Sequence, residues 1–82
     1  MNIQLIEGRF NSGDALKMIT EIIHVNIRFH ENKIKEQVTE KEMKTHINQI
    51  QELQKKLFEV GDLIKYGESN LYLKSSIEIL ST

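Results

Sequence analysis

The chain has 82 residues, and its 11 lysines and arginines against 12 aspartates and glutamates leave a net charge of -1. No broad electrostatic field is available to draw in nucleic acid or an anionic membrane. Without cysteine, disulfides and thiolate zinc sites are excluded as staples for a domain too small to bury a large core.

With 28% charged residues, 39% hydrophobic ones and no proline, the composition is that of a folded chain with uninterrupted helices, read as one small domain over residues 1–82. No apolar run approaches the ~20 residues of a membrane span. The opening Met1-Asn2-Ile3-Gln4 lacks the basic region and apolar core of a signal peptide. A cytoplasmic protein without membrane contact is the expectation.

Residues 3–10 begin with β-favouring side chains, and Ile3 and Leu5 fall on one side of a short strand. Gly8 within it predicts a bulge or a close backbone approach. The run Asn11-Ser12-Gly13-Asp14 predicts a turn into a helix, with Asn11 or Ser12 as N-cap and Asp14 at the positive end of the helix dipole.

The first helix is predicted from Asp14 to about Gln37. Leu16, Ile19, Ile23, Ile27, His30 and Ile34 recur at three- and four-residue steps along one face. A second stripe beside it, Met18, Ile22, Val25 and Phe29, stops halfway. The first half of the helix is therefore expected to be covered on two sides and the second half on one. Lys17, Glu21, His24, Arg28, Glu31 and Lys35 form the solvent line, with opposite charges four apart at 17/21 and 31/35.

At Thr39 the sequence Thr-Glu-Lys-Glu predicts a capping box and the start of a second helix. Met43, Ile47, Ile50, Leu57 and Ile64 make its main stripe. Leu53, Val60 and Leu63 join on an adjoining side in the second half only. The helix is expected to end near Tyr66, with Gly67 at the left-handed C′ position. Residues 71–80 alternate with period two and predict one half-buried strand, although Lys74-Ser75-Ser76 offers a point where it could bend into a hairpin.

The short link around Val38 forces the helices into an antiparallel hairpin. Lateral neighbours in such a hairpin have residue numbers that add to a nearly constant total. The core stripes obey this over their whole length: Ile34 with Met43, His30 with Ile47, Ile27 with Ile50, Ile23 with Leu53, Ile19 with Leu57 and Leu16 with Val60. Gly61 falls at the same seam and is expected to permit close helix approach. Both extra stripes lie near the base of the hairpin, where both strands also meet the helices. The predicted fold is α+β in the order strand, helix, helix, strand, a long antiparallel helical hairpin packed at its base on a small sheet. Two strands alone are marginal and leave two unpaired edges, so completion by homodimerisation is expected.

The one sharp constellation is His30 with His46, which the pairing brings together across the hairpin. With further ligands they could hold zinc or another divalent ion, but the pair reads first as a half-buried core histidine, His30, flanked by His46 near solvent. His24 reads as a surface residue. No hydroxyl stands in a nucleophile elbow or beside a base, carboxylates such as Glu36, Glu40 and Glu42 crowd a helix turn where they cap and solvate, and the glycines form no phosphate loop. Neither an enzyme nor a cofactor is expected.

Arg28, Lys33 and Lys35, with Lys55-Lys56 on the other helix, are interleaved with glutamate and read as solvated faces rather than a nucleic-acid surface. A strand followed by two helices resembles the ribbon-helix-helix plan of small regulators in element order. These helices are about twice as long, and the strand lacks the alternating polar readers that enter a groove, so no residue is carried over. The leading functional expectation is a non-catalytic homodimeric protein-interaction or regulatory module. Its interaction residues are Met18, Ile22, Val25, Phe29, Leu53, Val60 and Leu63, and its protein partner is unspecified. The alternatives are a divalent-metal-binding protein using His30 and His46, and a nucleic-acid-binding regulator.

Overall fold

The computed structural model describes residues 1–66 and 70–82, and of Lys65 and Tyr66 the backbone alone. Strand β1 (Asn2–Asn11), helix α1 (Ser12–Lys35), helix α2 (Glu40–Tyr66) and strand β2 (Asn70–Glu78) follow in the predicted order. The two strands pair antiparallel in a two-stranded sheet, and the helices pack side by side as a hairpin. The fold is α+β. The expected cap at Gly67 lies outside the described residues.

Local chemistry sets most boundaries. Strand β1 runs straight into α1: the predicted turn over residues 11–14 is instead the cap and first helical turn. Asn11, in extended backbone at φ -67° and ψ 162°, accepts a 2.8 Å bond at Oδ1 from the Asp14 amide and donates a 3.2 Å bond from Nδ2 to the Asp14 carboxylate. One side chain thus satisfies an orphan helix donor and fixes the acid at the dipole's positive end. Helix α1 stops two residues short of the expected Gln37, because Glu36 turns extended while its amide bonds the Lys33 carbonyl at 3.2 Å. Thr39 opens α2 as predicted, its hydroxyl oxygen accepting from the Glu42 amide at 3.1 Å.

In the sheet, Ile3 pairs with Ile77, Gly8 with Leu73 and Phe10 with Leu71. The irregularity predicted at Gly8 sits elsewhere. The register slips between Gln4 and Ile6, so Leu5 is the extra, bulged residue. Gly8 nonetheless has a reason to be glycine, since its φ of 154° is a conformation that L side chains rarely adopt. Strand β2 is a single strand, not a hairpin. Its pairing reaches past Glu78, where Ile79 and Met1 exchange bonds of 2.8 and 3.1 Å.

Burial is sparse. Ile6, Ala15, Ile23 and Ile64 are the buried hydrophobic residues among those described, and no large side chain is fully enclosed. The Cα radius of gyration is 15.2 Å, against about 12 Å for a compact chain of this length. The molecule is a slab of 45 × 31 × 14 Å. Its accessible surface of 6746 Å² exceeds by roughly 1,650 Å² the surface of a typical folded monomer of its mass.

The sheet packs on α1 and makes no close approach to α2 among the described residues. Ile6, Leu73 and Ser75 meet Ile19, Ile22 and Ile23 around a cleft of about 260 Å³. The expectation that the sheet would cover both extra stripes at the base is therefore corrected. Two strands lie about 5 Å apart, and their side-chain face is about as wide as one helix, so they can roof one helix but not two. Gly61 is corrected as well: a Cβ built there meets nothing within 4 Å, so no close helix contact depends on it.

Candidate interaction surface

The second stripe of α1 is divided by the edge of the sheet. Met18 and Ile22 are half-buried, Ile22 lining the cleft against β2, while Val25 and Phe29 stand 56% and 53% exposed just beyond it. The cover predicted to reach Phe29 thus ends near Ile23. On α2, Leu53 and Val60 are half-buried beside the seam and Leu63 is 70% exposed. By helical geometry all of these side chains share the flank that the sheet occupies. The seven residues of the predicted interaction set form one flank, roofed at Met18 and Ile22 and bare at Val25, Phe29 and Leu63.

A second bare apolar area lies on the sheet. The face of β2 that meets α1 carries Leu71, Leu73 and Ser75, all half-buried. The same face continues through Ile77 and Ile79, paired with Ile3 and Met1, and all four are exposed. Helix α1 roofs half of this sheet and leaves its far end uncovered. On the opposite face Tyr72 donates a 2.9 Å bond to the Glu7 carboxylate across the strands. That bond, with a smaller contribution from desolvation, holds the Tyr72 phenol above its ordinary pKa of 10.0.

Phe58, 73% exposed, belongs to no predicted stripe. Its neighbours at three- and four-residue steps, Gln54, Lys55, Gly61 and Asp62, are not hydrophobic side chains, so periodicity passes over it. The readable signal was that isolation: an aromatic on a polar face, on the flank of α2 opposite Leu53 and Val60.

The histidines meet as the pairing predicted. His30 Nδ1 and His46 Nδ1 are 2.8 Å apart, with ring centroids at 5.1 Å, and the Phe29 ring stands edge-on to His30 at 5.3 Å. At that distance one imidazole donates and the other accepts. Two nitrogens are half of a tetrahedral zinc site. Among the described residues no group of three histidine, cysteine, aspartate or glutamate side chains is placed to hold a metal. Beside the pair, Asn26, Gln49, Glu52 and Leu53 line a shallow groove of about 380 Å³ between the helices.

Two of the basic residues weighed above carry acidic partners. Lys33 pairs with Glu36 at 3.5 Å and sits 5.7 Å over the Phe29 ring, and Lys56 pairs with Glu59 at 3.9 Å. No helix among the described residues is long and apolar enough to cross a membrane. No protein-family model matches the chain, and neither a curated protein nor a solved structure does.

Proposed function

We propose that this chain is a small protein-interaction module without catalytic activity, and that it works as a homodimer. The observation that carries the reading is the excess of roughly 1,650 Å² of accessible surface over a typical folded monomer of this mass. Exposed apolar side chains on this surface include Val25, Phe29 and Leu63 and, at the far end of the sheet, Met1, Ile3, Ile77 and Ile79. Patches of this extent mark association surfaces, because leaving them in water costs stability that a small core does not supply. The net charge of -1 sets up little repulsion between copies. Sedimentation equilibrium across the micromolar range tests it: a concentration-dependent dimer is expected, and a stably folded monomer throughout would refute it.

A second reading, divalent-metal binding, is favoured by the meeting of His30 and His46 Nδ1 at 2.8 Å. One chain supplies two nitrogens, so water or a second copy must supply the remaining ligands. Calorimetric titration with zinc decides it: absence of binding, or binding unchanged in His30→Ala, sinks it.

A further inference from the structure

We propose that two copies join through the outer edge of β2, antiparallel and with Ser75 on the two-fold axis, so that four strands run β1, β2, partner β2, partner β1. The inference rests on the homodimer reading and specifies its interface.

The choice of edge follows from regularity. Strand β1 is broken by the bulge at Leu5 and by Gly8 at a φ of 154°, and irregularities of this kind blunt an edge against further pairing. Strand β2 is regular over Asn70–Glu78, carries no proline and has no partner on its outer side among the described residues. Because Ile79 exchanges bonds with Met1, the odd-numbered residues of β2 direct their backbone groups to β1. Tyr72, Lys74, Ser76 and Glu78 therefore turn their N–H and C=O groups outward. Four unpaired donor and acceptor pairs in a row are a template for another strand.

The register follows from side-chain matching. With Ser75 facing the partner's Ser75, Leu73 lies opposite the partner's Ile77 and Leu71 opposite the partner's Ile79 on the face that meets α1. On the other face Tyr72 lies opposite the partner's Glu78, and Lys74 opposite the partner's Ser76. Moving the axis to Lys74 sets two ammonium groups against each other, and moving it to Ser76 sets Ser75 against an isoleucine. Of these, the Ser75 register alone keeps Leu71, Leu73, Ile77 and Ile79 each opposite another apolar residue on the face that meets α1.

This pairing also accounts for the bare end of the sheet. Antiparallel joining places Ile77 and Ile79 of each copy beside Leu73 and Leu71 of the other, in the half of that sheet roofed by α1, with Ile3 and Met1 one strand farther out. The area fits too, since a stable dimer buries about 800 Å² per partner and an obligate one about 1,000–2,500 Å². The excess on this chain falls within the obligate range.

The chain has no cysteine, so a single introduced thiol reports the register. At the two-fold Ser75 forms a non-hydrogen-bonded pair with its copy, with Cα atoms about 4.5 Å apart, a separation a disulfide spans. Full-length S75C and S76C are oxidised under mild conditions and scored on non-reducing gels, beside sedimentation equilibrium of the unmodified chain. The expected result is a disulfide dimer for S75C forming at least about tenfold faster than for S76C. Equal rates, or faster cross-linking of S76C, overturn the register. Slow cross-linking of both in a chain that sediments as a dimer overturns the β2 edge while leaving the homodimer standing. A monomer in sedimentation overturns both.

Discussion

His30 and His46 touch through their Nδ1 atoms at 2.8 Å, joining α1 to α2 midway between the roofed base of the hairpin and its tip. The contact is part-buried, so each ring depends on the other to satisfy a polar atom that water reaches only partly. Replacing His46 with alanine is expected to cost about 1 kcal/mol in urea-induced unfolding. The double variant His30→Ala/His46→Ala should cost less than the two single losses added together. Strict additivity would mean that the two rings do not support each other.

Phe29 stands exposed on α1, beyond the point near Ile23 where the cover of the sheet ends. Phe29→Ala is expected to raise the dimer dissociation constant tenfold or more, equivalent to about 1.4 kcal/mol. His24→Ala, on the solvent line, should stay within about 0.5 kcal/mol of the parent. Sedimentation equilibrium reads both, and equal effects would count against the interaction flank.

Tyr72 and Glu7 tie the open face of the sheet together. The bond needs the neutral phenol, and folding raises the Tyr72 pKa above its unfolded value. Its contribution to stability is therefore fully present below about pH 10 and is lost as pH rises through the raised value. In a Tyr66→Phe background one phenol remains, and its ultraviolet titration should have a midpoint above 10.0 that falls toward the ordinary value in Glu7→Gln. A midpoint indifferent to Glu7 would remove the bond from the account.

Two glycines should respond in opposite directions. Gly61 sits inside α2 with open space where a Cβ would go, so Gly61→Ala is expected to stabilise the fold by about 1 kcal/mol. Gly8 has room as well, its nearest neighbour being Phe10 at 3.9 Å, but its φ of 154° is hostile to any side chain. Gly8→Ala is expected to destabilise by about 1 kcal/mol or more. Thermal unfolding of the two variants checks both signs.

Much of the fold was legible because it is written in local chemistry. Asn11 and Thr39 announce helix starts through side-chain oxygens placed to accept backbone amides, and the alternation from Leu71 onward announces a strand through its period of two. Even the His30–His46 contact was readable, because a short link makes two periodic helices antiparallel and aligns their stripes residue by residue.

What the chain could not declare in one dimension was how its pieces cover each other. An apolar stripe asks to be buried without naming what buries it, and the stripes at Phe29 and at Leu63 made the same request. Tertiary structure assigned the sheet to α1, because two strands are no wider than one helix. It also placed the bulge at Leu5 rather than Gly8, left Gly61 in open space and set Phe58 in solvent, since register and spacing are settled only when elements meet. Sequence alone thus determined which elements form and which faces are apolar. Only the packed chain decided that the sheet covers the base of α1 alone, and that Val25, Phe29, Leu63 and the far end of the sheet stay in solvent.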